Sequence, residues 1–304
     1  MNHCKTIAIV NQKGGVGKTT STVNLGVGLA QAGNRVLLVD DDPQHSLTIS
    51  LGIRNADEDL DTTLATAMQA EIRDESVPWE EGILHSDEGV DLLPANIELS
   101  GVEMSLFNAM SREQVLKSVL SRVKENYDYI LIDCMPSLGL MSINALVAAD
   151  SVIIPSAPDF LSTKGLNLLI HTISRVRRQI NPKLKIDGIL MTMVDSRTNN
   201  AKNIIAALRS TLGSSVRVFA TEIPRSVRAA EASGEGKSIF AFDAKSRVAQ
   251  AYTSLTKEAG QPQLYHGAEK PDFRDLSAKR HGFHQDGLHQ KPGLALRPIQ
   301  QHAL

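Results

Sequence analysis

The sequence predicts an α/β protein with a doubly wound, mostly parallel sheet. Short apolar runs alternate with longer helical patterns, as expected for a sheet covered by helices on both faces. A glycine-rich turn ending in Gly17-Lys18-Thr19 separates one such run from the helix that follows. Two other apolar runs end in aspartates, Asp40 and Asp133. Because ligands of such sheets lie at the carboxyl ends of the strands, these acids are candidate site residues.

The bulk composition is that of an ordinary globular protein. The chain has 304 residues, of which 42% are hydrophobic and 22% charged, which allows one large domain or two modest ones. No apolar run is long enough for a transmembrane helix, and a strand pattern follows residue 5 directly, so we expect no signal peptide. Cys4 and Cys134 are far apart in sequence, which argues against a disulfide framework and fits a reducing cytoplasm.

Charge is divided unevenly along the chain. Residues 1–150 hold 10 Lys and Arg against 22 Asp and Glu, whereas residues 151–260 hold 16 against 8. This asymmetry, hidden by a net charge of −2, indicates that the basic part could face a polyanion. Solvated surface charge explains the same count, so both interpretations stay open.

The glycine-rich turn has the layout of a phosphate-binding loop, the P-loop of nucleotide-binding proteins. We predict a buried strand over Thr6–Val10 and a helix over Ser21–Ala32. The glycines let successive backbone N–H groups converge on an anion at a helix N-terminus, where the helix dipole favours negative charge. In this pattern Lys18 reaches the β- and γ-phosphates and the hydroxyl of Thr19 binds Mg²⁺. The alternative is a turn that only connects strand to helix.

One departure from the general pattern identifies a family. Gln12 stands where the first glycine is expected, and a second lysine, Lys13, follows it. The run from Lys13 to Thr20 resembles the deviant Walker A box of the ParA/MinD ATPases. That resemblance implies a homodimer sandwiching ATP, with Lys13 reaching the partner's nucleotide, although Lys13 could instead be a solvated loop lysine. The implied ATP contacts are Lys13, Gly14, Gly15, Val16, Gly17, Lys18, Thr19 and Thr20.

The second predicted strand, Arg35–Asp40, ends in three consecutive aspartates followed by Pro43. Three carboxylates at one strand end repel one another unless a cation lies nearby. The segment resembles the family's D-x-D-P-Q motif, with Asp41 at its variable position. The resemblance implies that Asp42 orients the attacking water and belongs to the metal site, and that Asp40 supports the metal and phosphate network. Asp42 could instead be a turn residue capping the next helix.

A third strand supplies the Walker B aspartate. We predict a helix over Ser111–Glu125 and a buried strand over Tyr129–Asp133. An apolar strand ending in Asp133 is the arrangement in which a carboxylate holds Mg²⁺ through water. The following residues continue the family resemblance, although Met135 stands where the family usually has proline. A plain helix cap is the alternative role for Asp133.

Two loops in the basic part match ParA-type segments. They follow predicted strands over Gly188–Val194 and Val218–Ile223. By resemblance, Arg197 and Arg228 contribute to non-specific DNA binding by the ATP-bound dimer. Surface salt bridges are the alternative for both arginines. Also by resemblance, Met193 and Pro224 lie at the adenine pocket.

The resemblance covers about residues 5–258, so we predict an ATPase domain over residues 1–260. Residues 261–304 hold five of the nine histidines and four of the twelve prolines with little periodicity, a composition typical of disorder. The resemblance implies a short ParA-type ATPase that uses ATP and Mg²⁺ to partition plasmid, chromosome or mobile-element DNA. It also implies a ParB-like centromere-binding partner, association with the nucleoid in the cytoplasm, and no stable membrane association.

Two other functions fit the same motifs. A MinD-like ATPase that cycles on membranes needs a C-terminal amphipathic helix, and residues 261–304 are rich in His, Gln, Pro and Gly instead. A nucleotide-gated scaffold would bind ATP with negligible turnover. Vesicle binding and phosphate release, respectively, separate these alternatives from a partition ATPase.

Overall fold

The structure is a computed structural model that describes residues 4–213 and 215–260, with backbone only for residues 160–164. The strands of this part of the chain are β1 (Lys5–Ile9), β2 (Val36–Asp41), β3 (Leu84–His85), β4 (Asp91–Leu93), β5 (Tyr129–Cys134), β6 (Ser151–Ser156), β7 (Lys185–Val194) and β8 (Val218–Pro224). Its α-helices are α1 (Lys18–Gln31), α2 (Ser46–Ser50), α3 (Ala56–Asp59), α4 (Leu64–Arg73), α5 (Leu99–Leu106), α6 (Val115–Ser121), α7 (Leu140–Ala148), α8 (Phe160–Gln179), α9 (Asn199–Leu212), α10 (Val227–Gly234), α11 (Ile239–Asp243) and α12 (Arg247–Gly260). None of these helices is long and apolar enough to cross a membrane.

The described strands form one sheet in the order β3-β4-β2-β5-β1-β6-β7-β8. Every neighbouring pair is parallel except β3 and β4, which run antiparallel. The doubly wound, mostly parallel fold predicted from the sequence is confirmed. Because β1, β5 and β2 are neighbours in register, Asp133 lies beside both Ile9 and Asp40. The carboxyl ends of these three strands therefore meet where the glycine-rich loop begins.

Helix α1, which carries the glycine-rich loop at its start, packs very close to the sheet. A Cβ atom at Gly26 would lie 2.5 Å from the side chain of Leu38 on β2, and one at Gly28 would lie 2.3 Å from the hydroxyl of Thr256 on α12. All six residues of β2 are buried, as expected for a strand covered on both faces. The tight packing of α1 fixes the loop relative to the strand ends.

One predicted helix is shorter than expected. The pattern over Ser111–Glu125 forms α6 only from Val115 to Ser121. Ser111 has a left-handed backbone with φ of 50°, which is incompatible with a helix, and Lys124–Asn126 form a short 3₁₀ turn. The prediction made for residues 261–304 lies outside the described residues.

Candidate nucleotide site

The glycine-rich loop has the backbone shape that an anion cradle requires. Gly15 and Gly17 have φ values of 69° and 80°, in the left-handed region that glycine adopts at little cost. Apart from each glycine's own chain neighbours, no atom of the described residues lies within 4 Å of the position that a Cβ atom would take at Gly14 or Gly15, so the space beside these glycines is open. The buried residue Val16 is held from β7, where the hydroxyl of Thr192 donates to its carbonyl at 2.8 Å. The loop therefore has open space beside Gly14 and Gly15, and the Thr192 hydrogen bond ties it to β7.

Lys18 lies inside this loop. Its side chain is buried, and its ammonium nitrogen donates to the carbonyl of Lys13 at 3.3 Å. Burial lowers the pKa of Lys18, an effect that the nearby charges of Asp133 and Asp42 oppose. A buried cation bonded to its own glycine-rich loop suits a bound phosphate. The contact of Lys18 with the β- and γ-phosphates stays a prediction.

Thr19 and Asp133 are joined directly. The Thr19 hydroxyl donates to one carboxylate oxygen of Asp133 at 2.6 Å, and the hydroxyl of Thr22 donates to the other at 3.2 Å. Burial raises the pKa of Asp133 to about 7, against the opposing effects of the Thr19 hydrogen bond and the charge of Lys18. Two of the three predicted metal-site residues, Thr19 and Asp133, are thus brought together. Sequence reasoning missed Thr22, which follows one helical turn after Lys18.

Asp40 lies beside Asp133 on the neighbouring strand and is fully buried. One of its oxygens accepts from the backbone N–H and the hydroxyl of Thr48, at 2.8 and 2.7 Å, and the other has no hydrogen-bond partner among the described residues. Burial, together with the charge of Asp133, raises the pKa of Asp40 to about 8. The neighbouring buried carboxylates of Asp40 and Asp133 fit a site that binds a cation, since one Asp40 oxygen lacks a hydrogen-bond partner among the described residues. The donor set of carboxylate and hydroxyl oxygens is that of Mg²⁺.

The other two aspartates of the β2 end differ from each other. Asp41 is fully buried, and neither of its carboxylate oxygens has a hydrogen-bond partner in the part of the chain that the structure describes. Burial therefore raises the pKa of Asp41 well above the usual value. Asp42 is half-buried, and one of its oxygens accepts from the N–H of Gln44 at 2.9 Å. That contact makes Asp42 a turn residue but not the cap of the next helix, because α2 begins after His45. The predicted role of Asp42 in orienting water stays a prediction.

Lys13 does not share the position of Lys18. Its ammonium nitrogen lies 2.8 Å from each carboxylate oxygen of Asp159, in the segment between β6 and α8. Its backbone N–H donates to the side chain of Asn11 at 3.0 Å, and Asn11 in turn donates to the carbonyl of Pro155 at 2.7 Å. Sequence reasoning missed Asp159 and Asn11. Asp159 could have been suspected because it closely follows a buried strand, as the other site acids do.

The two residues predicted at the adenine pocket lie on adjacent strand ends. Pro224, the last residue of β8, pairs in register with Val194 of β7, the residue after Met193. Met193 is exposed and has a φ of 53°, an uncommon backbone state that is often found at functional sites. Pro224 and Val194 also line a cleft of about 470 Å³ that reaches Arg247 on α12. The contact of Met193 and Pro224 with adenine stays a prediction.

The two arginines predicted to bind DNA are exposed and ion-paired within the chain. Both guanidinium groups have carboxylate partners: Arg197 binds Asp195 at 2.9 Å through two nitrogens, and Arg228 binds Asp243 at 3.2 Å. The Arg197 hydrogen bonds lower the pKa of Asp195 to about 2. Arg228 also stacks on the ring of Phe242, 4.6 Å from its centroid. Exposed ion pairs contribute only about 0–1 kcal/mol, so phosphate groups could replace these carboxylates.

Comparison with known proteins agrees with this geometry. The family described as an AAA domain matches residues 4–186. The sporulation initiation inhibitor protein Soj of Bacillus subtilis is 45% identical over 256 residues, which span 84% of this chain and 97% of Soj. The chromosome partitioning protein ParA of Caulobacter vibrioides is 40% identical over 260 residues, spanning 84% of this chain and 94% of that protein.

Solved structures resemble the chain over the same part. A cobyrinic acid a,c-diamide synthase from Mycobacterium smegmatis, solved with bound ADP and magnesium, has a TM-score of 0.72 at 36% identity and covers 84% of this chain and 93% of its own. The septum site-determining protein MinD from Pyrococcus horikoshii, complexed with Mg-ADP, has a TM-score of 0.66 at 25% identity and covers 85% and 96%. From the matched family, the high identity to Soj and ParA, and the shared fold, this chain belongs to the ParA/MinD family of deviant Walker A ATPases and is Soj-like.

Proposed function

We propose that this chain is a partition ATPase that binds ATP with Mg²⁺, dimerises around two ATP molecules, and binds duplex DNA without sequence preference in that state. Hydrolysis, stimulated by a ParB-like centromere-binding protein, returns it to a monomer that releases DNA. The cargo is a chromosome, a plasmid or another mobile element, and the place of action is the nucleoid in the cytoplasm. The relatives named Soj and ParA support the partition role.

The observation that carries the dimer proposal is the divergence of the two loop lysines. Lys18 bonds to a carbonyl of its own loop, whereas the side chain of Lys13 leaves the loop and binds Asp159. Because its ammonium group stays at its own loop, Lys18 can contact the phosphates that its own chain would bind. The Lys13 side chain is more than one-third exposed, so its ammonium group can contact an anion that is not bound by its own chain's loop. A phosphate of the nucleotide bound by the partner chain would then compete with Asp159 for the Lys13 ammonium group.

The proposed chemistry is electrostatic positioning. The loop amides and Lys18 hold the β- and γ-phosphates, and the partner's copy of Lys13 adds a second cation. Asp42 orients a water molecule for attack in line with the leaving oxygen. Thr19 and Asp133 would hold Mg²⁺, with Asp40 behind them, and the ion would neutralise charge on the phosphate oxygens. Asp40 and Asp133 lie near the carboxyl ends of β2 and β5, and Lys18 and Thr19 begin α1, where Thr19 contacts Asp133.

One experiment on purified protein tests the proposal. Light scattering should show a dimer with ATP and Mg²⁺ and a monomer with ADP, and only the dimer should bind unrelated DNA duplexes equally well. Lys18→Ala should lose nucleotide binding altogether, whereas Lys13→Ala should bind ATP as a monomer without dimerising. Equal DNA affinity with ATP, ADP and no nucleotide would refute the switch. Absence of phosphate release with DNA and a ParB-like partner would favour a scaffold instead.

A further inference from the structure

The side chain of Gln12 contacts a helix outside the glycine-rich loop. The side-chain amide nitrogen of Gln12 donates to the backbone carbonyl of Gly165, in the second turn of α8, at 2.9 Å. Gln12 stands where the general P-loop pattern has a glycine, and its side chain reaches across to another helix. The contact joins residues 153 positions apart in sequence. It is therefore a tertiary link between the nucleotide loop and α8.

Gly165 is the residue that makes this link sterically possible. A Cβ atom at position 165 would lie 2.7 Å from the amide nitrogen of Gln12, and the three nearest atoms to it all belong to the Gln12 side chain. Glycine inside a helix costs roughly 0.5–1 kcal/mol relative to alanine, so its presence in α8 works against helix stability. The close approach of Gln12 is the structural feature that accounts for glycine at this position.

The link belongs to a series of contacts that hold Lys13. Residues 11, 12 and 13 each bind the segment from β6 into α8: Asn11 through Pro155, Gln12 through Gly165 and Lys13 through Asp159. Asn11 also accepts from the backbone N–H of Lys13. Gln12 is thus anchored between two fixed neighbours. A displacement of its side chain would move the peptide that carries Lys13.

We propose that Gln12, seated against Gly165, is a positioning residue that sets the location of the Lys13 ammonium for its action across the dimer. This inference rests on the proposed function, because it concerns the lysine that completes the partner's site. The ion pair between Lys13 and Asp159 must break when Lys13 contacts the partner's phosphate. The Gln12 contact involves no charged group and remains in place while Lys13 moves. Binding of ATP to the monomer does not depend on it.

Gly165→Ala tests this proposal because it should lower ATP-dependent dimerisation without lowering the stability of the fold. The added methyl should push the Gln12 side chain out of its contact and shift the peptide that carries Lys13, and it should also favour α8, so the midpoint of thermal unfolding should rise by about 2 °C or stay unchanged. ATP-dependent dimerisation and turnover should fall about fivefold, the factor equivalent to one hydrogen bond. Affinity of the monomer for a fluorescent ATP analogue should not change. Gly101→Ala is the matched control, because this glycine also lies in a helix. Outside its chain neighbours and the nearby backbone of that helix, no atom of the described residues comes within 4 Å of the place its new methyl group would take.

A double-mutant cycle gives the decisive comparison. Gln12→Ala should cause the same loss of dimerisation, and adding Gly165→Ala to it should cause no further loss, because no side chain remains to be displaced. Wild-type dimerisation in Gly165→Ala, or fully additive losses in the double variant, would overturn the inference while leaving the proposed function intact. Failure of the wild-type protein itself to dimerise with ATP would instead overturn the proposed function and this inference with it.

Discussion

The ammonium nitrogen of Lys13 and the carboxylate of Asp159 form a symmetric ion pair within one chain, with both oxygens 2.8 Å from the nitrogen. The two side chains are 38% and 42% exposed, so water screens the pair and its contribution to stability is at most about 1 kcal/mol. An interaction of this size can be exchanged for a phosphate contact of higher charge. The pair therefore holds Lys13 in the single chain without preventing its proposed movement.

Removing the charge of Asp159 should favour the dimer. Asp159→Asn weakens the hold on Lys13, so half-maximal dimerisation should need less ATP, by up to about fivefold, equivalent to 1 kcal/mol. Sedimentation velocity at increasing ATP concentration measures this. Glu80→Gln, which breaks the comparably exposed pair with Arg122, is the control and should change nothing. A higher ATP requirement in Asp159→Asn would show that the carboxylate helps to form the dimer.

Asp42→Ala should separate ATP binding from hydrolysis. The phosphate contacts remain, but water loses its orienting carboxylate, so turnover should fall on the order of 10²-fold or more and the dimer should accumulate. Phosphate release and light scattering on the same samples give both quantities. Asp87→Ala removes an exposed aspartate elsewhere and should behave like wild type. Turnover unchanged by Asp42→Ala would leave Asp42 as the turn residue that its bond to Gln44 describes.

Magnesium affinity should depend on pH through Asp133. Burial raises the pKa of this carboxyl to about 7, so below that pH it is protonated and a proton competes with Mg²⁺. Apparent Mg²⁺ affinity of the nucleotide complex should therefore rise with pH between about 6 and 8, by up to about tenfold per unit on the acid side. Calorimetric titration, corrected for Mg²⁺ binding to free nucleotide at each pH, measures it. Asp133→Asn should reduce the dependence, and the slope that remains should come from Asp40, whose pKa burial raises to about 8. A slope equal to that of the wild type in Asp133→Asn would contradict the role of Asp133.

Asp41 should destabilise the fold, and more so at higher pH. Its folded pKa is raised by burial and by the charges of Asp40 and Asp42, so its contribution is most favourable below the unfolded pKa of about 4 and is lost as pH rises towards the folded value. Asp41→Leu should stabilise the nucleotide-free protein by about 1–3 kcal/mol at pH 8 and by less at pH 5. Urea unfolding at the two pH values provides the test, with Asp87→Leu as the control. Equal stability of variant and wild type at pH 8 would mean that the carboxyl finds a partner in solution.

The two exposed arginines should contribute to DNA binding through phosphate contacts. Arg197→Ala or Arg228→Ala should weaken binding equally on unrelated sequences and reduce the slope of log affinity against log salt by about 0.9 for each phosphate that is no longer neutralised, doubled in a symmetric dimer. Fluorescence anisotropy across a salt series measures both effects. Arg73→Ala is the matched control, since Arg73 is exposed and paired with the acid two residues later, much as Arg197 pairs with the acid two residues before it. Slopes equal to the control would make both arginines ordinary surface charge.

The local chemistry of the site was determined by the sequence alone. Lys18 and Thr19 belong to one turn whose glycine spacing dictates its backbone shape, and Asp133 ends a strand recognisable from its apolar run. Because strand, turn and helix are contiguous, short-range rules suffice to predict them, and parallel pairing then brings Asp133 to Thr19. The same reasoning predicted the fold class, since alternating strands and helices have few ways to bury both faces of a sheet.

Contacts between distant segments were decided only by the tertiary structure. The partners of the loop, namely Asp159 for Lys13, Gly165 for Gln12 and Thr192 for Val16, are each more than 140 positions away. No periodicity marks such partners, because their meeting depends on the order in which β1, β6 and β7 pair in the sheet and on where α8 lies relative to them. The burial of Asp41 among like charges is equally invisible in sequence, where it is one of three similar aspartates. A side chain's type is local information, whereas its neighbours follow from the packing of the whole sheet.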